Sequence, residues 1–451
     1  MTFRAYGLPT ILLLIALHTP AFAAGWSAGV SKVNITPPKF IWMSGYGGRN
    51  HPAEGKLTDL WAKTLVLKDS RGKQGVVITL DLVGVDRDFS QKVCAAIVAK
   101  HGVKRADIAI CTSHTHTGPV VGGNLKPLHY LTIDASQQKL VDEYTVWLSE
   151  QIAVGVKEAF ESIAPAEIAW GSGEATFAVN RRNNREPDVP KLRADNQLKG
   201  PFDHDVPVLA VRSGKKLRAV LFGYACHATV LSFYQWSGDY PGFAQIEVEK
   251  AHPGCVALFW AGCGADQNPL PRRKVELAQQ YGGRLAKAVD RVLAGDMAAV
   301  AAELKTGYVE IPLALDKLPT REQIEKDSES TNKWVKARAE MFLEQIDAGA
   351  PLAQTYPYPI GVWKVGADVK FVTLGGEVVV DFAVRTKREL GGVKTWVAGY
   401  SHDVMAYIPS RRVLLEGGYE GAGAMVYYGL PTKWAITVED DIMKAIHRLS
   451  K

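Results

Sequence analysis

The stretch "ADIAICTSHTHTGPVVGG", residues 106–123, decides how this chain is read. Its first half is a short apolar run with two isoleucines, the pattern of a buried strand. Its second half sets His114 and His116 one residue apart among threonines, and Gly118-Pro119 follows at once. In extended backbone, side chains i and i+2 point to the same side, so both imidazoles are expected to project together from a strand end.

Working outward, five more apolar runs read as buried strands: 75–85 "GVVITLDLVGV", 218–226 "RAVLFGYAC", 255–262 "CVALFWAG", 369–375 "VKFVTLG" and 394–401 "KTWVAGYS". Helical patterns lie between them, among them "FSQKVCAAIVAKHG", "LVDEYTVWLSEQIAVGVKEAFESI" and "VELAQQYGGRLAKAVDRVLAG". Alternating strands and helices predict an α/β fold of layered mixed β-sheets with helices on the outer faces. The polar stretches 182–204 and 318–332 read as surface insertions, and two fused α/β halves are left open. Unusual residues fall after the strands: His114, His227 in "ACHATVLS", Asp266-Gln267-Asn268, Glu377 in "LGGE", and Tyr400 to Tyr407. Ligands of open α/β sheets bind at the carboxyl ends of strands, so a metal site is expected there. Imidazole and carboxylate together suit catalytic zinc with one position open to water.

Composition narrows the class. The 451 residues are 47% hydrophobic and 22% charged, with a formal net charge of +6. No dense Lys/Arg run occurs, so no nucleic-acid partner is expected. The N-terminus combines Arg4, an apolar core from Ile11 to Leu17 and Ala21-Phe22-Ala23 before a mature chain. This predicts a signal peptide over residues 1–23 and a periplasmic or secreted catalytic domain over 24–451. No later stretch is long enough for a transmembrane segment, while peripheral membrane contact and oligomeric state stay open. Five cysteines, none in CxxC spacing, argue against a disulfide scaffold or a cysteine zinc knuckle. Cys226, beside His227, reads as a buried reduced thiol. Ser401-His402-Asp403 cannot chain three consecutive side chains as a triad. "EGGYEGAGAM" lacks a phosphate-loop lysine and reads as a turn. In "GDYPG", Pro241 marks a helix start with Asp239 available to cap it.

Taken in order, "SHTHTGP", "ACHATVLS…GDYPG", "LGGE", Tyr407 and "GGYEG" closely resemble the neutral/alkaline ceramidases, from about residue 26 to the C-terminus. The resemblance implies an exported zinc-dependent amidase that cleaves an N-acyl bond with metal-activated water. It implies one zinc per chain, held by His114, His227, Glu377 and Tyr407. His116 falls on a catalytic acid/base or transition-state group, Tyr419 on a group that polarises the scissile carbonyl, and Arg181 on the site arginine, with Arg182 as competitor. An N-acyl small molecule or lipid, within sphingolipid metabolism, is the implied substrate. Trp26, Trp42, Tyr46, Trp236 and Tyr427 are candidates for lining a pocket or packing the core.

Two departures bear on the substrate. Ceramidases carry a serine where "GCGADQNP" has Asn268, and they continue into an immunoglobulin-like domain past the point where this sequence stops. The expectation is weak ceramide turnover and better turnover of a smaller, more polar N-acyl compound. Two alternatives remain: a zinc hydrolase of another N-acyl or ester substrate (sugar, peptide or signal), and a non-catalytic exported metal- or ligand-binding protein.

Overall fold

Period-two alternation in the apolar runs builds two sheets that share one interior. The computed structural model describes residues 25–451 together with Thr2. Apart from Thr2, the expected signal peptide lies outside the described residues. The main sheet contains β1 (Trp26–Asn34), β2 (Trp61–Lys68), β3 (Gln74–Leu80), β4 (Ile108–Thr112), β5 (Ala164–Glu174), β6 (Asp205–Ser213), β7 (Lys216–Tyr224) and β8 (Val256–Ala261). Its order is β8-β7-β6-β5-β1-β2-β3-β4. The second sheet is β9 (Leu304–Ala314), β10 (Thr355–Val365), β11 (Val369–Leu374) and β12 (Thr395–Ala398), paired in that order.

Alternate residues of each strand face different layers. In β3, Val76 and Ile78 pack toward helices α1 (Arg87–His101) and α2 (Ala135–Glu161), while Val77 faces the second sheet. In β7, Val220 and Phe222 pack toward α3 (Asp239–Ala251) and α4 (Val275–Ala294), and Leu221 faces inward. Trp170, Trp260, Trp363, Phe371 and Trp396 fill the space between the sheets. The far face of the second sheet is covered by α5 (Val380–Leu390) and α6 (Val438–Leu449) through Phe382, Ile442 and Ile446. The result is helix, sheet, sheet, helix, with helices outside as the sequence predicts.

The connectivity departs from simple strand–helix alternation. Only β3–β4, β7–β8 and β11–β12 pair in parallel; the other ladders of these two sheets are antiparallel. Twist of roughly 20–25° per strand pair, accumulated across the sheet, turns its edge strands through about half a circle. The edges β4 and β8 come into contact, and their carboxyl ends lie close together. Bridges Cys111↔Ser401 and Gly262↔Ala398 tie both ends to the segment after β12.

Several local expectations need correction. The run 75–85 is a strand only to Leu80, and both polar insertions contain short helices, Val189–Ala194 and Arg321–Ser328. Asp239 does not cap α3; it sits in its first turn at φ 53°, and its carboxylate accepts from Leu231 N and Tyr240 N. All five cysteines are buried and unpaired by disulfide. Ser401, His402 and Asp403 reach three different partners, Gly399 O, Thr373 and Tyr356, so no triad forms. Among the described residues, no helix is long and apolar enough to cross a membrane.

Candidate functional site

The loops after the strands are fastened to one another by short ladders. A parallel pair, Glu377–Val378 with Tyr407–Ile408, sets Glu377 beside Tyr407. An antiparallel pair, Gln267–Pro269 with Ala178–Asn180, brings Asn268 next to the start of "RRNN". Main-chain bonds from Arg181 N to Asp266 O (2.8 Å) and from His227 N to Gln267 O (2.9 Å) complete the mesh. Side chains far apart in sequence are thereby held by backbone hydrogen bonds.

The two motif histidines do converge, though by another route than strand alternation. β4 ends at Thr112, and His114 adopts a left-handed backbone with φ 59°. Such a conformation costs roughly 1–2 kcal/mol in a non-glycine residue, and strain of this kind gathers at functional sites. The turn brings His116 Nε2 within 3.1 Å of His114 Nε2. Gly45 makes room for it: at φ 93°, a Cβ there would lie 2.5 Å from the His116 ring.

His114, His116 and His227 are all buried, and their candidate ligand atoms lie within 4.8 Å of one another. His114 Nδ1 lies 2.6 Å from Val83 O, and His227 Nδ1 lies 2.7 Å from Gly264 O. A carbonyl accepts only, so Nδ1 is the protonated nitrogen of each neutral ring, which leaves Nε2 with the lone pair. Burial, aided by the charge of Arg181, pushes the His227 pKa down to about 4, which keeps that ring neutral at pH 7. Both Nε2 atoms face the same carboxylate oxygen, Glu377 Oε2, at 3.1 and 3.0 Å. That oxygen is buried without a hydrogen-bond donor. Three lone-pair atoms converging on one point repel one another, and a divalent cation bound among them relieves this. The donor set fits zinc, which takes imidazole and carboxylate ligands and has outer partners orienting its histidines.

Tyr407 completes one side. Its hydroxyl lies 3.4 Å from His227 Nε2 and accepts from Arg181 Nη2 at 3.1 Å. Arg181 also donates to Glu420 (2.8 Å) and to Asn268 Oδ1 (3.3 Å). Arg182 pairs instead with Glu416 and Glu420, so Arg181, which reaches Tyr407 and Asn268, is the arginine that faces the centre. The Tyr419 ring stands 5.2 Å from that of Tyr407 and remains 47% exposed, within a π-helical turn, Tyr419–Gly423. Tyr427 lies 6.1 Å from Tyr419, and Tyr46 packs edge-on to His116 at 4.8 Å. Trp26 and Trp236 are core residues, and Trp42 packs in a small cluster with Val120 and Ile133.

Two further tyrosines join the site: Tyr428, which motif reading did not single out, and Tyr400, the first residue of the strand-end segment 400–407. Tyr428 donates its hydroxyl to Glu377 Oε1. Tyr400, also at positive φ (51°), lies against His114 with ring centroids 4.3 Å apart, and its buried hydroxyl has no partner. Tyr400 is marked in the sequence only by its place at a strand end, and Tyr428 only by the tandem Tyr427-Tyr428 after "GGYEGAGAM".

The model of the neutral/alkaline non-lysosomal ceramidase N-terminal region matches residues 26–262, which include His114, His116, Arg181 and His227. The chain belongs to the neutral/alkaline non-lysosomal ceramidase family. Among its ceramidase relatives, the neutral ceramidase of Drosophila melanogaster is 24% identical over 259 residues, 54% of this chain and 36% of that protein. Neutral ceramidase 1 of Arabidopsis thaliana is 27% identical over 176 residues, 38% of this chain and 22% of that one. The matched stretch thus spans about a third or less of these relatives' length. The crystal structure of neutral ceramidase from Pseudomonas aeruginosa superposes with a TM-score of 0.73 at 19% identity. It covers 95% of this chain and 74% of the Pseudomonas chain. The ceramidase fold therefore extends past the matched residues, to the segments that carry Glu377, Tyr407 and Tyr419.

Proposed function

We propose that this chain is an exported, zinc-dependent amidase of the ceramidase type that hydrolyses an N-acyl bond. The reading assigns one zinc to His114, His227, Glu377 and Tyr407. It rests on one observation above all: two unprotonated imidazole nitrogens aimed at one undonated carboxylate oxygen. A zinc ion held there supplies Lewis acidity and brings the pKa of water down to about 7.

The remaining residues divide the work of an acyl transfer. His116 is buried with Nδ1 unpartnered and Nε2 beside His114, which suits a group that takes up and returns a proton. Tyr419, exposed at the rim, offers its hydroxyl to a carbonyl oxygen as negative charge develops on it. Arg181 fixes the Tyr407 hydroxyl and adds positive field at the same place. Asn268 has its Oδ1 engaged by Arg181, leaving the amide N–H groups to donate to substrate. An amide nitrogen has no usable lone pair, so Asn268 is not a nucleophile.

The substrate assigned by this reading is an N-acyl compound smaller or more polar than a long-chain ceramide. The test is metal analysis of the purified protein followed by hydrolysis of an N-acyl panel that includes ceramide. Release of free amine that chelation abolishes and zinc restores is the expected result. Undiminished hydrolysis after complete metal removal contradicts the reading.

A further inference from the structure

Two cavities flank the site, and arginine dominates both. One, of about 520 Å³, is lined by Arg181, Asn268 and Tyr419; the other, of about 400 Å³, by Tyr46, Arg49 and Thr229, and Arg272 borders both. Across the two walls, six guanidiniums (Arg49, Arg181, Arg182, Arg185, Arg272 and Arg273) face two carboxylates, Glu186 and Glu420. Glu416 and Asp188, just outside the walls, pair with Arg182 and Arg185, and the buried Asp239 lies within Coulombic reach of Arg272, which still leaves one cation in excess.

The excess is concentrated in the smaller cavity. Glu186 alone serves both Arg272 and Arg273. Arg49 is buried without any carboxylate and donates to three main-chain carbonyls, of Ser44, Phe233 and His116. In the same wall, Thr229 is 3% exposed and its Oγ1 is buried without a hydrogen-bond partner. A buried hydroxyl left unpaired destabilises the fold that holds it. The cavity also touches the centre: Tyr46 packs on the His116 ring, and Thr229 stands two residues past His227.

We infer that this cavity is a subsite for an anionic group, a carboxylate or an equivalent oxyanion, carried by the N-acyl substrate and met by Arg272, Arg273 and the Thr229 hydroxyl. The inference rests on the amidase reading for the word substrate, while the subsite stands on its own geometry. A long-range excess of positive charge draws such a molecule in, and charge-assisted hydrogen bonds then fix it.

The experiment is titration calorimetry of the full chain with N-octanoylglycine and with its uncharged amide, alongside hydrolysis of both. The charged compound is expected to bind at least ~10-fold more tightly. T229V removes the unpartnered hydroxyl, so it is expected to raise the melting temperature of the ligand-free protein yet weaken binding of the charged compound. R273Q, at a largely exposed position, is expected to bring the ratio of the two affinities toward one. If the carboxylate is held by a metal alone, neither substitution changes the ratio, and the subsite is refuted. Equal affinity for the two compounds, or no binding of the charged one, refutes it as well. Selective binding without hydrolysis of any amide leaves the subsite standing and overturns the amidase reading instead.

Discussion

Tyr428 donates its hydroxyl to Oε1 of Glu377, while Oε2 of the same carboxylate faces the two histidines. One carboxylate is thus held from behind by a phenol and presented forward to the site. Groups that orient metal ligands in this way are worth about 10–100-fold in metal affinity. Tyr428→Phe keeps the ring and removes the hydrogen bond. Competition with a chelator is expected to show zinc affinity reduced by that factor at unchanged stoichiometry, and unchanged affinity contradicts the role.

His116 and Tyr419 are assigned to chemistry, yet His116 stands only 3.1 Å from His114. Their separation from the metal set is therefore measurable. His116→Ala and Tyr419→Phe are each expected to lower kcat by roughly 10²-fold or more, the scale of a lost acid/base or oxyanion group. Zinc content is expected to stay at the wild-type level in both. Loss of zinc in His116→Ala makes His116 a ligand, and full turnover by Tyr419→Phe removes Tyr419 from the mechanism.

Asn268 accepts from Arg181 and offers no nucleophile. Rapidly quenched turnovers analysed by mass spectrometry are expected to carry no acyl adduct between residues 255 and 270. In side-by-side assays, long-chain ceramide is expected to rank below a soluble N-acyl compound. An adduct refutes the mechanism, and ceramide as best substrate refutes the specificity.

Asp403 couples folding to pH. Burial, partly offset by the Tyr356 hydroxyl, raises its pKa from 3.8 to about 7; Arg87 and Arg105 lower it and Glu310 raises it. A carboxyl raised on folding stabilises fully below its unfolded pKa, and that contribution is lost as pH rises through the folded value. The wild type is therefore expected to lose stability between about pH 4 and pH 7 through this group. Asp403→Asn mimics the protonated form, so its melting temperature is expected to gain several degrees on the wild type between pH 5 and pH 8. Parallel curves for the two proteins contradict the assignment.

Much of this site was legible because its residues lie next to strand ends, where hydrophobic periodicity stops and unusual polar residues begin. His114, His227, Glu377 and the segment Tyr400 to Tyr407 were marked that way as candidates, and the ordered motifs added Tyr419 and Arg181. The choice between Arg181 and Arg182 was not legible, since adjacent residues in an irregular loop give no orientation; the ladder to Asn268 fixes it. The left-handed turn at His114 was hidden too, because the partners of its ring, Val83 O and the Tyr400 ring, come from distant segments. In the fold, the six strands of the three parallel pairs announced themselves as continuous apolar runs. The antiparallel strands did not: β1, β5 and β9 carry partly exposed and mixed residues, and the largely buried β2, β6 and β10 are broken by Lys63, Pro207 and the pair Pro357 and Pro359. Tyr428 had only the cue of the Tyr427-Tyr428 tandem, and its link to Glu377, 51 residues away, is a product of the fold.

The most direct measurement is the zinc content of wild type and His227→Ala by elemental analysis after exhaustive dialysis against buffered trace zinc. One zinc per wild-type chain and loss of tightly bound zinc from His227→Ala is the expected result. Stoichiometric, tight zinc retained by His227→Ala, or a wild type that holds none, contradicts the metal centre and the amidase built on it.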